Sequence, residues 1–186
     1  MENGLNNLSK EALWRLFPIE LQNHNPLWKK QYEEEKLNIL SLLGTKRILR
    51  ISHIGSTAID GIMAKPIVDI LLETDRHHFS YIKNILTSNG WICMNESVNR
   101  LSFNKGYSIN GFSKKVFHLH LRLYGDNDEI FFRDYLNSHP DIAKQYEDLK
   151  QSLAKKYKYD RDKYTSSKSE FVSTYTQKQK VLIKSK

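Results

Sequence analysis

The arrangement of apolar and polar positions divides the chain into helical and strand-like segments. Apolar residues recur at helical spacing over 27–43, and Gly44 ends that pattern. Two short runs at 47–54 and 66–73 are rich in β-branched residues, which favours strands. The second run is almost continuously hydrophobic except for Asp69, so it predicts a strand that is buried on both faces and carries one charge.

The rest of the chain first repeats this alternation and then becomes helical. Asp75 and Asn89-Gly90 bound a predicted helix over 76–88, and another strand is predicted over 91–94. Further strands are predicted over 98–104 and 115–124, joined by a loop or hairpin over 105–114, and further helices over 130–138, 141–156 and 163–180. This order of elements predicts an α/β (α+β) fold, with a mixed β-sheet flanked by helices and a C-terminal helical extension.

The length of 186 residues fits one domain. We place that domain at 27–176, with its sheet part over about 27–127 and its helical part over about 128–176. Residues 1–26 are expected to form an N-terminal helical arm or extension, whose packing the sequence leaves open. Residues 177–186 are expected to form a basic tail.

The placement of charge and the cysteine content of the chain limit the classes of function that the sequence supports. The net charge is +8, but residues 141–186 alone carry 12 Lys/Arg against 6 Asp/Glu. A solvated helix face and a basic tail explain this excess better than a nucleic-acid surface, because no RNA-binding aromatic pattern accompanies it. Cys93 is the single cysteine, and the sequence contains neither an apolar leader nor a run of about 20 apolar residues. We therefore expect a cytoplasmic protein without membrane association.

The candidate chemistry lies where the first strand ends. Gly55 and Ser56 follow that strand, and a Gly-Ser turn lets backbone N–H groups and a hydroxyl approach phosphate oxygens closely. Asp69 projects from the adjacent strand, where a carboxylate can hold a divalent cation against those oxygens. The spacing therefore predicts a site for phosphate and metal.

Each of these residues also has a purely structural interpretation. Ser56 and Thr57 are typical of a turn or a helix N-cap, and Asp69 can form a fold-stabilising ion pair with a nearby basic residue. His118 and His120 share one face of a strand, where hydrogen-bonded histidines without a ligand are common. The sequence leaves these alternatives open.

Several separated motifs occur in one order along the chain. They are HIGSTAIDGIMAKPIVDI at 53–70, HLHLRLY at 118–124, FFRDYLNSHPDIAKQYEDLKQSLA at 131–154 and DRDKYTSSKSEFV at 160–172. Together they resemble the signature of the GrpB family (UPF0157), and the resemblance covers about 27–176. It implies a nucleotidyltransferase-like fold.

The resemblance also implies roles for individual residues. In the wider superfamily a Gly-Ser turn precedes two carboxylates at alternate positions of one strand, with a third carboxylate on a later strand. Asp69 matches the first carboxylate, whereas Leu71 stands at the second position. The later strand offers His118 and His120 instead of a carboxylate. The implied metal ligands are Asp69, His118, His120 and also Glu73, which shares a strand face with Asp69.

Two functions follow from the resemblance. The first is transfer of a nucleotidyl or phosphoryl group, dependent on Mg²⁺ or Mn²⁺, from a nucleoside triphosphate to an unknown small acceptor. The second is a non-catalytic accessory module that binds a nucleotide or a coenzyme-like molecule, which Leu71 favours because it removes a metal ligand. A homo-oligomer stays open, and nucleic acid is not expected as a partner. The residues implied for catalysis are Asp69, Ser56 and Lys65, and those implied for nucleotide binding are Gly55, Ser56, Thr57, Lys65, Arg133 and Lys168.

Overall fold

The computed structural model describes residues 4–185. The α-helices in this range are α1 (Lys10–Leu16), α2 (Leu27–Leu43), α3 (Phe79–Ser88), α4 (Asp128–Ser138), α5 (Pro140–Lys156), α6 (Arg161–Ser166) and α7 (Ser169–Lys184). The strands are β1 (Arg50–Ile54), β2 (Val68–Thr74), β3 (Ile92–Glu96), β4 (Arg100–Ser108) and β5 (Gly111–Leu123). Their order confirms the predicted fold class, a mixed sheet flanked by helices with a helical C-terminal part.

The strands form one sheet in the order β1-β2-β5-β4-β3. The central pair, β2 and β5, is parallel, and the other neighbouring pairs are antiparallel. This topology places β2 between β1, which leads into the Gly-Ser turn, and β5, which carries the two histidines. The three segments that the sequence singled out for chemistry are therefore neighbours in the sheet.

The two faces of the sheet differ in polarity because side chains alternate along each strand. The apolar face packs against α2 and α3 and includes Val68, Ile70, Leu72, Leu119 and Leu121. On the opposite face Asp69 is in register with Ile54 of β1 and with His118 of β5, and Asn104 of β4 lies beyond His118. A row of polar side chains thus crosses the middle of the sheet.

The C-terminal helices lie over this polar row. Phe132 of α4 and Tyr146 of α5 form a second hydrophobic cluster with Ile59 and Ile62, which lie in the loop after the Gly-Ser turn. Phe171 of α7 packs against the same cluster. The helices are therefore anchored to the loop between β1 and β2, and a space remains between them and the polar face.

Of the two alternatives predicted over 105–114, a loop or a hairpin, the structure shows the hairpin, and most of the segment is strand. β4 continues to Ser108 and β5 begins at Gly111, so that a two-residue turn joins them. Gly106 has a φ of +91° and lies where the register between the two strands shifts. The glycine that suggested a loop marks a β-bulge instead, which is another common position for glycine.

The predicted helix over 163–180 is also interrupted. α6 ends at Ser166 and α7 begins at Ser169, which leaves Lys168 at the start of α7. Asp75 makes no side-chain capping hydrogen bond, and a 3₁₀ turn over Arg76–His78 precedes α3. α7 continues to Lys184, so most of the expected basic tail is helical. No helix within residues 4–185 combines the length and the apolar character that crossing a bilayer requires.

The N-terminal segment packs on the rest of the protein, which answers the question left open by the sequence. The buried ring of Phe17 lies 4.8 Å from the ring of Tyr107 and 4.9 Å from that of Phe112. Gln22 pairs with Ala64 in an isolated β-bridge. The segment therefore supports the β4–β5 hairpin and the loop that leads to β2.

Replacing the buried ring tests this packing. We expect Phe17→Ala to lower the free energy of unfolding by about 3–5 kcal/mol, since it opens a cavity between the N-terminal segment and the hairpin. Leu27→Ala is the control, because Leu27 lies nearby in sequence but is 56% exposed and should change stability by no more than about 0.5 kcal/mol. Denaturant unfolding measures both values, and equal small effects would show that the segment does not pack as described.

A candidate ligand-binding cavity

A cavity of about 490 Å³ lies between the polar face of the sheet and the C-terminal helices. Its lining brings together most of the residues predicted from the sequence. From that set it includes Gly55, Ser56, Lys65, Asp69, His118, His120 and Lys168. Thr57, Glu73 and Arg133 do not line it.

The Gly-Ser turn and Asp69 are in direct contact. Gly55 has a φ of +71°, and a Cβ atom at this position would lie 2.3 Å from Oδ2 of Asp69. Only glycine therefore allows the turn to pass so close to the carboxylate. Ser56 follows at the cavity wall, where its hydroxyl lies beside that of Tyr146.

A chain of hydrogen bonds orients Asp69. Nη2 of Arg161 donates to the hydroxyl of Tyr107 over 2.9 Å, and that hydroxyl lies 2.7 Å from Nε2 of His118. Nδ1 of His118 lies 3.0 Å from Oδ1 of Asp69. Because the guanidinium group can only donate, the Tyr107 proton is directed to Nε2, and His118 donates from Nδ1 to the carboxylate. The chain therefore selects the Nδ1–H tautomer of His118.

The pKa directions agree with these proton positions. Burial raises the pKa of Tyr107, so the phenol keeps its proton. Burial lowers the pKa of His118, and the neighbouring Asp69 offsets this only in part, which favours a neutral imidazole. Burial alone would raise the pKa of Asp69, but the imidazoles of His118 and His120 outweigh it and hold that pKa below its usual range. Asp69 is therefore an ionised, oriented acceptor.

The predicted metal ligands do not fit a metal site in this arrangement. Both ring nitrogens of His118 are occupied, by Asp69 and by Tyr107. Nδ1 of His120 accepts from Arg122 over 3.2 Å, so its remaining proton lies on Nε2, which faces Oδ1 of Asp69 at 3.7 Å. A protonated nitrogen cannot bind a metal ion.

Glu73 is also used elsewhere. Its fully buried carboxylate accepts hydrogen bonds from the backbone N–H of Gly125 over 2.7 Å and from the Asn127 amide over 3.0 Å, and it lies 3.3 Å from Nε of Arg50. Leu71, at the position of the second carboxylate, is fully buried too. Across residues 4–185 no group of three or more His, Cys, Asp or Glu side chains is arranged to hold a metal ion. We therefore derive no chemistry through a bound metal.

Four basic side chains line the cavity, of which Lys150 donates to a backbone carbonyl and the other three make no such bond among the residues that the structure describes. Lys65, Arg161 and Lys168 line it, and within the described part of the chain none of them forms an ion pair with a carboxylate. The ammonium groups of Lys65 and Lys168 lie 5.6 Å and 4.1 Å from the ring centre of the buried Tyr164. Burial lowers the pKa of Lys65 to about 7 and that of Lys168 to about 8. These are basic groups without a carboxylate partner, held at the wall of a cavity.

A further lysine holds the loop that carries Lys65. Nζ of the buried Lys150 donates to the carbonyl of Met63, while Oε1 of Glu147 accepts from the N–H of Met63 over 2.8 Å. One turn of α5 thus holds both backbone polar groups of one loop residue, Met63. Burial lowers the pKa of Lys150 to about 7. Its position explains how α5 fixes the wall of the cavity that contains Lys65.

The remaining predicted residues fix the Gly-Ser turn from outside the cavity. The hydroxyl of Thr57 donates to the carbonyl of Ile67 over 3.2 Å and lies 3.0 Å from Nε2 of His53. Burial lowers the pKa of His53 to about 4, so it is neutral and donates to that hydroxyl. Arg133 donates to the carbonyl of His53 over 2.7 Å and contacts Asp134. Both Thr57 and Arg133 therefore hold β1 and its turn in position.

Sequence reasoning missed Tyr107, Arg161 and Tyr164. Arg161 and Tyr164 lie within the motif at 160–172, so their membership of that motif could have marked them as candidate site residues. The charge pattern alone did not distinguish them. Tyr107 carried no such signal, because it lies in the segment predicted as a loop or hairpin, outside the motifs. Its role follows from the bulge at Gly106 and from the pairing of β4 with β5.

A Gly-Ser turn at the end of one strand, an ionised aspartate on the next strand and a cover of C-terminal helices meet in one cavity. The chain belongs to the GrpB family. The sequence model of that family, described as "GrpB protein", matches residues 18–178. The resemblance seen in the motifs is thereby confirmed.

Individual relatives agree with this assignment. The chain is 35% identical over 166 residues to the glutamate-rich protein GrpB of Alkalihalophilus pseudofirmus, covering 83% of this chain and 91% of that protein. It is 32% identical over 172 residues to the UPF0157 protein YqkA of Bacillus subtilis, covering 88% of this chain. The chain spans about half the length of YqkA, 48%. A crystal structure of the conserved protein GrpB from Enterococcus faecalis is similar, with a TM-score of 0.74, 27% identity and coverage of 86% of this chain and 96% of that one.

The close approach of the turn to Asp69 generates a prediction. Gly55→Ala should lower the free energy of unfolding by about 2 kcal/mol or more beyond the cost of its positive φ, because the new methyl group meets the carboxylate. Gly61→Ala is the matched control: Gly61 has a φ of +75° with nothing within 4 Å of its added Cβ, so it should lose only the conformational cost of about 1–2 kcal/mol. Chemical denaturation measures the difference, and equal losses would contradict the contact.

Proposed function

We propose that the protein is a phosphate-ester binding module of the nucleotidyltransferase-like class, and that a nucleotide or a nucleotide-containing coenzyme occupies the cavity. The observation that carries this proposal is the set of three basic side chains, Lys65, Arg161 and Lys168, that face the cavity without a carboxylate partner. Partly buried cations are costly unless an anion neutralises them. A phosphate group has the charge and the acceptor oxygens to do so.

The shape of the cavity supports a ligand larger than phosphate. Its volume of about 490 Å³ lies in the range of small-molecule and cofactor sites. Apolar and aromatic side chains from the helices, among them Phe132 and Val172, line one side of it. We place the phosphates between the lysines and the Gly55-Ser56 turn, and the rest of the ligand against the helices.

Transfer of a nucleotidyl or phosphoryl group is the second candidate. The observation that favours it is the ionised carboxylate of Asp69, which lies against the Gly-Ser turn and is held ionised and oriented although phosphate binding does not need it. A divalent ion that arrived with a nucleoside triphosphate would find this one protein ligand. Leu71 weighs against transfer, since a second carboxylate is missing from the strand. Pyrophosphate release in the presence of Mg²⁺ or Mn²⁺ would identify the transfer activity.

Thermal unfolding against a matched ligand series tests the binding proposal. Adenosine, AMP and ATP share one base and sugar, and coenzyme A precursors extend the series. We expect stabilisation that grows with the number of phosphates, about 2.7 kcal/mol at a ligand concentration of 100 times Kd. Stabilisation by adenosine equal to that by ATP would show that the phosphates are not recognised, and no stabilisation by any ligand would contradict the proposal.

A lysine substitution locates the binding. Lys168→Met should weaken ATP binding about tenfold or more, because it removes one charge-assisted contact. Lys178→Met is the matched control: Lys178 lies on the same helix, α7, but is exposed above the ring of Tyr175, outside the cavity. Isothermal titration of both variants measures the effect, and equal affinities would exclude the cavity as the binding site.

The lowered lysine pKa values predict how affinity depends on pH. A bound phosphate favours the charged lysine, so affinity should fall as pH rises through the pKa of Lys168 at about 8, by about fivefold between pH 8 and 9 if one proton must be taken up. Lys168 has the opposite effect on the stability of the free protein. Its folded-state pKa lies below the unfolded value, so the unfolded chain binds more protons between about pH 8 and 10, and this contribution to stability rises with pH. Titrations at pH 7, 8 and 9 check the affinity, and a constant Kd would contradict the assignment.

A further inference from the structure

Resting on the function proposed above, we infer that the cavity binds the polyphosphate of its ligand without a divalent ion, and that Lys65, Lys168 and Arg161 provide the neutralising charge. The ligand class is then the free anion of a nucleoside di- or triphosphate rather than its Mg²⁺ complex. The inference concerns the same site, but it reverses the metal dependence expected from the resemblance.

The first step is the set of available metal ligands. Two-metal sites for phosphoryl chemistry hold their ions with several carboxylates. In this cavity the carboxylate at the second strand position is replaced by Leu71, and Glu73 is bound to Gly125 and Asn127. The two histidines that could replace a carboxylate direct protons toward Asp69. One carboxylate is left where such a site needs several.

The second step is the balance of charge at the cavity wall. Asp128 and Glu129 also line the cavity, but Lys180 lies 2.5 Å from Asp128, and Arg122 lies 4.0 Å from Glu129. The rim carboxylates therefore have basic neighbours from outside the cavity lining. The charge that faces the interior is that of Lys65, Arg161, Lys168 and the carbonyl-bound Lys150 against Asp69.

The third step is the position of these cations. Lys65 enters from the loop before β2, whereas Arg161 begins α6 and Lys168 directly precedes α7. Tyr164 lies between Arg161 and Lys168 in the sequence. The ammonium groups of Lys65 and Lys168 both lie over its ring. Cations that approach from different elements surround an anion, as metal ions do, and a Mg²⁺ ion already bound to the phosphates would compete with them for the same oxygens.

Titration of ATP in EDTA and in excess Mg²⁺ tests the inference on the full chain. We expect ATP in EDTA to bind several-fold more tightly than ATP in excess Mg²⁺. Adding EDTA to a buffer without Mg²⁺ should not weaken the binding. Binding that requires Mg²⁺ would overturn the inference but leave the proposed function intact. Absence of binding under both conditions would overturn the proposed function, and the inference with it.

A substitution at Asp69 gives an independent readout. Asp69→Asn keeps an oxygen that accepts from His118 but removes a negative charge that repels phosphate, so the affinity for free ATP should rise about threefold or more. A metal-dependent site predicts the opposite, a loss of binding. Asp60→Asn, at an exposed position of the following loop, is the matched control and should leave affinity unchanged. Should Asp69→Asn fail to fold, the comparison of EDTA with Mg²⁺ on the unaltered protein decides the question.

Discussion

One ionised carboxylate in the interior determines how the parts of this protein fit together. A charge removed from water is costly unless hydrogen bonds and opposite charges surround it. Asp69 meets this requirement through His118, Tyr107 and Arg161, which come from β5, β4 and α6. The chain of hydrogen bonds can form only when the long hairpin is paired with β2 and the C-terminal helices lie over the sheet. The requirement to satisfy one carboxylate therefore links elements that are distant in sequence.

A few hydrogen bonds from α4 and α5 fix the loop between β1 and β2. α4 contributes Asn137, whose side chain accepts from the N–H of Asp60 and donates to the carbonyl of Ala58, each over 3.0 Å. α5 holds both polar groups of Met63. These hydrogen bonds give backbone groups of the loop fixed partners on the two helices. The helices thus do more than cover the sheet, since they hold the loop in the shape that presents Ser56 and Lys65 to the cavity.

Much of this structure could be predicted from the sequence, for reasons that differ between its parts. Strand β2 was evident from its apolar run, and the exception within it, Asp69, marked the centre of the site. The hairpin was harder, because Gly106 and Gly111 suggest a loop when they are considered without the pairing of the strands. The use of each side chain was hardest of all. Glu73 shares a strand face with Asp69, but its partners, Gly125 and Asn127, lie 52 and 54 residues further along the chain. Local sequence pattern does not predict contacts between residues so far apart.

The difference between local pattern and contacts of distant residues also explains why the family motifs predict where the site lies better than what it binds. Gly55 and Asp69 are linked by sterics, since no other residue lets the turn pass so close to the carboxylate. The residues around them are free to change the balance of charge. With leucine at the second carboxylate position and histidines on β5 that act as hydrogen-bond donors, the frame loses the ligands for metal ions. Lysine and arginine from the C-terminal helices supply positive charge to the same space, and under the function proposed above these side chains take the place of a metal ion beside the phosphates.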